Sequence, residues 1–328
     1  MKRKSNYKPW EQRSKQSDRA MKKWIKIAAV LALVLTGVVE VVSAADALPE
    51  KPGKKFTYKE AEGQPEHMEM EIFFPPDHDP VRNKVPGVIL FHGGAWRGGH
   101  LASFRAACQY LASRGLVAAT ANYRMLRREE DAKLPDGESF KRICITDAKS
   151  AIRWFKKNAD EFGIDPRKII TGGGSAGGHI AILATTNPGL NDPQDPLDID
   201  TSVVAYLLFN PALDPAGTTA WPHRNDPEVN AIKHAGPEFA PALVMFGTGD
   251  KWKDGWDLFQ QHLLDLGNTT TELWLAPDQQ HAFFNREPWK TVTVAAAERF
   301  LAQHGLLVGE SALQLPSTGE RLIPALKP

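Results

Sequence analysis

Cysteine is nearly absent from this chain: its 328 residues hold two, Cys108 and Cys144. Two thiols cannot staple a disulfide scaffold, and neither stands at metal-ligand spacing. Both fall in segments that read as helical, where they either pair or remain buried thiols. Long apolar runs are equally scarce. The longest, Ile27 to Val39, is thirteen residues and would span about 20 Å as a helix, short of the roughly 30 Å of bilayer hydrocarbon. Glu40 closes that run and would be costly in lipid. No internal repeat is present, which argues against a solenoid or propeller.

Positive charge is also scarce once the head of the chain is set aside. Residues 1–45 carry ten Lys/Arg against three acids. Removing these from the totals of 40 and 39 leaves 30 basic and 36 acidic residues in 46–328, a net charge of −6. A mildly acidic body without a basic patch argues against nucleic acid as a partner. The head has a basic n-region, a short apolar run and small residues leading to Ala44-Ala45, the pattern of a secretory signal peptide. The expectation is export to the periplasm or beyond, with cleavage near Ala44/Ala45 and no membrane span in the mature chain. An uncleaved signal anchor is the alternative. No cysteine follows the cleavage site, so lipoprotein processing is not indicated.

What remains has a globular composition, 42% hydrophobic and 24% charged. Residues 46–65 read as a loose mature N-terminus with an edge strand at 54–59. A second half-exposed strand, 66–74, is expected antiparallel to it. Short apolar runs at 87–91 and 203–209 read as strands buried on both faces, and 116–121, 242–246 and 271–275 as further strands. Helical spacing marks 101–113, closed by Gly115 as a C′ residue, and then 140–162, 180–186, 256–266 and 291–304. This alternation predicts an α/β fold, a mostly parallel central sheet with helices on both faces. The charged stretch 127–138 reads as a surface loop. Residues 210–241 hold six prolines and no periodicity, and a segment that long reads as a short cap insertion in a catalytic domain spanning 66–304. The tail, 305–328, shows little pattern.

Glycine concentrates in one stretch. The run Lys168-Ile169-Ile170-Thr171 enters Gly172-Gly173-Gly174-Ser175-Ala176-Gly177-Gly178-His179 and leaves into an apolar helical segment. Gly173-x-Ser175-x-Gly177 matches the nucleophile elbow, a strained strand-to-helix turn that exposes a serine hydroxyl. Gly172 to Gly177 also satisfies G-x-G-x-x-G, a dinucleotide fingerprint. That motif belongs in the first βα unit, with an acid ending the next strand. Here two strand–helix units precede it, and Asp192 and Asp195 lie in a loop. The nucleophile reading is therefore preferred.

A serine nucleophile needs a base, and the base needs a group to orient it. On an elbow these follow in the order Ser, Asp/Glu, His. His281, in a loop after a late strand, is the candidate base. His262 lies inside a helix, His304 ends one, and His223 and His234 precede the candidate acid. That acid is Asp250, after strand 242–246; Asp254 and Asp257 are rivals, one of which reads as a helix N-cap. The N–H groups of Gly93, Gly94 and Ala176 are the candidate oxyanion donors. His92 is expected to pin their loop by a hydrogen bond, while Trp96 either walls a substrate pocket or packs in the ordinary way.

Five motifs together resemble the esterase/lipase family of the α/β-hydrolase fold. They are His92-Gly93-Gly94-Ala95-Trp96, Asn122-Tyr123-Arg124, Asp147-Ala148 with Ile152-Arg153-Trp154, Gly163-Ile164-Asp165-Pro166, and Gly173-Gly174-Ser175-Ala176-Gly177-Gly178. The branch is that of hormone-sensitive lipase and of bacterial feruloyl and acetylxylan esterases, and the resemblance covers Glu66 to His304. It implies hydrolysis of carboxylic esters through an acyl-enzyme on Ser175, with no metal or organic cofactor. Acetyl or feruloyl esters of polysaccharides are the substrates it suggests. Two departures stand out: Gly174 where the family often has an acidic residue, and Ala95 in place of glycine. An exported serine amidase or peptidase on the same fold is the alternative, and a non-catalytic binding protein on this scaffold is a third reading.

Overall fold

The computed structural model describes residues 48, 50–60, 65–214, 226–309, 311 and 313–325. The expected leader lies outside these residues, as do 215–225, with Trp221 and His223, inside the expected cap. The apolar runs of the sequence become a nine-stranded sheet. Its strands are β1 (Lys54–Thr57), β2 (Glu69–Phe73), β3 (Val85–Phe91), β4 (Val117–Ala121), β5 (Ile164–Gly174), β6 (Ala205–Phe209), β7 (Ala242–Gly247), β8 (Thr271–Ala276) and β9 (Ile323–Pro324). They stand in the order β1-β2-β4-β3-β5-β6-β7-β8-β9. The six strands from β4 to β8 in that order are parallel, and the pairs β1/β2, β2/β4 and β8/β9 are antiparallel.

Strand side chains alternate between the two faces, and each face is buried by its own helices. Val88 and Leu90 of β3 join the core under α1 (Arg105–Ser113) and α5 (Trp289–Gln303). Ile89 and Phe91 point to the opposite core, with α2 (Phe140–Lys157) and α3 (Ala176–Thr186). Farther along that second face, Leu208, Val244 and Phe246 pack with Trp256, Phe259 and Leu263 of α4 (Lys253–Asp265). Helix α1 ends as expected: Gly115, at φ 101°, lets its own N–H reach Ala112 O and the Leu116 N–H reach Leu111 O.

Several expectations change. Strand β2 is buried where half-exposure was expected, because Arg105 takes the carboxylate of Glu71 in a fork at 2.7 and 2.6 Å. The long helix at 140–162 stops at Lys157; one further turn, Ala159–Phe162, ends at Gly163 with φ 67°. The charged loop holds a helical turn, Arg128–Asp131, and the unpatterned tail supplies β9. Cys108 and Cys144 are free, and no bridge could join them, since they lie in cores on opposite faces of the sheet. Among the described residues, no helix is long and apolar enough to cross a membrane.

Candidate active site

The candidate nucleophile, acid, base and oxyanion loop sit just beyond the carboxyl ends of parallel strands, where such sheets place their chemistry. Strand β3 runs into His92–Trp96, β5 into Ser175, β7 into Asp250 and β8 into His281. Ser175 has φ 52° and ψ −118°, a conformation that a non-glycine residue holds only when its surroundings impose it. Its N–H donates to Phe209 O at 3.0 Å, and its carbonyl accepts from Ala212 N at 2.9 Å. The flanking glycines make room for this turn. A Cβ on Gly173 or Gly177 would lie 2.2 or 2.0 Å from the carbonyl oxygen of Phe91. At Gly174 a Cβ would lie 2.3 Å from the ring of Phe284, so the missing acidic residue has been replaced by an aromatic floor.

Ser175, His281 and Asp250 are hydrogen-bonded in a chain. His281 Nε2 is 2.7 Å from Ser175 Oγ, and His281 Nδ1 is 2.7 Å from Asp250 Oδ2. The second oxygen of Asp250 accepts from Trp252 N at 2.9 Å, and its side chain is fully buried while that of His281 is 32% exposed. A buried carboxylate that accepts the Nδ1 proton leaves Nε2 free to take the serine proton. The rivals are engaged elsewhere. Asp257 pairs with Lys253 at 2.6 Å. Asp254 lies in the first turn of α4 and does not cap it, since the helix begins at Lys253 with Trp252 as N-cap. His262 bonds Ala235 O, His234 bonds Pro227 O, and His304 packs on Phe300.

Gly93, Gly94, Trp96, Ser175, Trp252 and His281 line one cleft of about 680 Å³. Gly93 passes so close to the elbow that a Cβ on it would lie 3.1 Å from Ser175 Cβ. Ala176 opens α3, where backbone N–H groups have no helical acceptor. Among the described residues, nothing accepts the N–H of Gly93, Gly94 or Ala176. Gly94 has φ 127°, and Ala95 and Trp96 follow at 54° and 60°, so Ala95 holds a left-handed conformation despite its Cβ. His92 is fully buried; its Nδ1–H donates to Gly93 O at 2.8 Å and its ring stacks on Tyr123. Burial lowers the His92 pKa to about 4, which keeps it neutral.

Trp96 both lines the cleft and packs in the core. It is 1% exposed, its Nε1–H donates to His179 Nδ1 at 3.1 Å, and the Lys141 ammonium lies 4.5 Å from its ring centre. His179 Nε2–H then donates to Val229 O at 2.8 Å, tying α3 to the 226–241 segment. Burial, with the nearby Lys141 charge, lowers the His179 pKa to about 3.

Sequence reasoning did not find Asn210. Fully buried at the end of β6 with φ 43°, it donates its N–H to Met245 O at 2.7 Å and accepts from Ala282 N at 3.2 Å through Oδ1. Its Nδ2 lies 3.3 Å from His281 Nδ1. It thus holds the residue after His281, itself at φ 64°, against the strand that precedes Asp250. The signal available was an Asn-Pro pair at a strand end, since asparagine tolerates positive φ better than most residues.

The family model BD-FAE matches residues 70–210. The chain is 34% identical over 151 residues to the probable carboxylic ester hydrolase LipM of Mycobacterium tuberculosis, covering 45% of this chain and 32% of that one. It is 27% identical over 257 residues to the carboxylesterase NlhH of the same organism, covering 70% and 74%. Thus it spans about a third of LipM and about three quarters of NlhH. The propionate-bound structure of Thermogutta terrifontis esterase 2 superposes with a TM-score of 0.70 at 30% identity, covering 80% of this chain and 98% of that one. The chain belongs to the α/β-hydrolase family of serine esterases.

Proposed function

We propose that this protein is an exported carboxylesterase that hydrolyses short carboxylic esters through an acyl-enzyme on Ser175. One observation carries the reading: Ser175 Oγ, His281 and the buried Asp250 stand in a hydrogen-bonded line inside a cleft, at 2.7 Å for each link. His281 Nε2 takes the serine proton as Oγ adds to the ester carbonyl. The N–H groups of Gly93, Gly94 and Ala176 receive the developing oxyanion. The imidazolium, stabilised by Asp250, then protonates the leaving alkoxide. Water attacks the acyl-enzyme by the same route and frees Ser175.

The short-acyl preference is supported by Thermogutta terrifontis esterase 2, whose structures hold propionate and butyrate. That protein has also been captured phosphorylated by paraoxon. Acetyl esters of polysaccharides, the short-acyl member of the two classes the family resemblance suggests, are the substrates we assign, with the export implied by residues 1–45 as further support. Export is tested by fractionating cells that make the full chain and sequencing the N-terminus; a product beginning at Ala45 or Asp46 is expected, and an intact cytosolic chain would refute it. Activity is tested by comparing p-nitrophenyl acetate with aminoacyl p-nitroanilides. Turnover of the amides alone would sink the esterase reading.

A further inference from the structure

The cleft has two chemically different walls. Its more deeply buried lining is apolar, with Trp96, Ala212, Trp252 and Phe284. Its more exposed lining is polar, with Glu50, Ser103, Asn285 and Lys290. Lys290, in the first turn of α5, is paired through Nζ with Glu50 Oε1, which fixes the segment before β1 at the cleft wall. Two further contacts hold that segment: Lys51 N donates to Gln109 Oε1 at 2.8 Å, and Leu48 is buried in the α1/α5 core.

Reaction chemistry decides which half of the substrate meets this wall. The leaving oxygen must come within hydrogen-bond reach of His281 Nε2, so the alcohol lies against the chain that follows His281. That chain carries Asn285 and runs into Lys290. Because Glu50 neutralises Lys290, the wall offers no net charge to a carboxylate or phosphate. It does offer ammonium donors and carboxylate lone pairs beyond those the pair uses on itself, together with a hydroxyl and an amide. Vicinal hydroxyls match such a set, because each can donate and accept at once.

We propose that Glu50 and Lys290 form a leaving-group subsite for a neutral polyhydroxylated alcohol, such as a sugar or glycerol. This rests on the ester-hydrolase reading and narrows it to the alcohol side. The segment before β1 is then part of the active site, contributing a specificity-determining carboxylate.

The test holds the acyl group fixed and varies the alcohol. The full chain and a Glu50→Leu/Lys290→Met variant are assayed on glycerol monoacetate and on butyl acetate, with Glu50→Gln as a milder second variant. The kcat/KM ratio should favour the polyol ester in the wild type. It should fall about tenfold in the double variant, the effect of losing charge-assisted hydrogen bonds, and by less in Glu50→Gln. A ratio that is the same in all three folded proteins, or a wild type that prefers butyl acetate, would overturn the subsite while leaving ester hydrolysis intact. No turnover of either ester, nor of p-nitrophenyl acetate, would refute ester hydrolysis itself.

Discussion

Gly177→Ala is the substitution that most sharply separates the elbow's geometry from its sequence motif. A Cβ at this position would stand 2.0 Å from Phe91 O and 2.5 Å from His92 O, both backbone atoms leading directly into Gly93. Relief to even 3.0 Å demands that α3 and the end of β3 part by about 1 Å, and overpacking of this kind costs about 1–3 kcal/mol of stability. The same displacement carries the Gly93–Gly94 amides away from Ser175. A misplacement of about 1 Å costs on the order of 100-fold in rate, or about 2.7 kcal/mol of transition-state stabilisation. The assay is kcat/KM on p-nitrophenyl acetate, alongside thermal unfolding. Gly115→Ala serves as the control: its φ is 101°, but no atom lies within 4 Å of the added Cβ, so it should cost about 1–2 kcal/mol of stability and leave turnover unchanged. A Gly177→Ala protein that melts with the wild type and keeps its activity within threefold would refute the close-approach argument.

Asp250→Asn should lower kcat on the order of 10⁴-fold with little change in melting temperature, because it disturbs the tautomer of His281 rather than the fold. Asn210→Ala removes the acceptor of the Ala282 N–H and should lower kcat about ten- to hundredfold with KM nearly unchanged; a change confined to KM would contradict a positioning role. His92 and His179 are held neutral by burial, with pKa values near 4 and 3. Their unfolded counterparts bind protons first, so the stability they contribute is complete above about pH 6.5 and is lost as pH falls toward those values. The slope is about 1.4 kcal/mol per pH unit for each. Chemical denaturation from pH 7 to 4 checks this, and a His179→Gln variant should show the shallower dependence.

The parallel sheet was legible because apolar strands and amphipathic helices alternate, and the unbroken apolar run of β3 matches a strand buried on both faces. Ser175, His281 and Asp250 were legible because an elbow constrains chain order, which sets His223 and His234 aside, and the remaining rivals could be referred to helices. Other features depend on contacts that no local pattern encodes. Strand β2 carries Glu71 in its interior, and only the fork of Arg105 from another element makes that burial tolerable. The tail lacked a pattern because β9 contributes only two residues, Ile323–Pro324, to the sheet. Asn210 stands next to Pro211 at the start of a proline-rich stretch, and its link to Ala282 spans 72 positions. Gly174 looked like a departure that touched substrate preference; its cause is steric, since Phe284, far along the chain, occupies the space a side chain would need.

The central claim is that Ser175 is the nucleophile, and an active-site-directed fluorophosphonate tests it most directly. Folded full-length protein should be labelled once, with the adduct mapped by mass spectrometry to the peptide carrying Ser175. Ser175→Ala should take no label and lose ester turnover on the order of a millionfold. Labelling at another residue, or ester hydrolysis that survives in Ser175→Ala, would contradict the account.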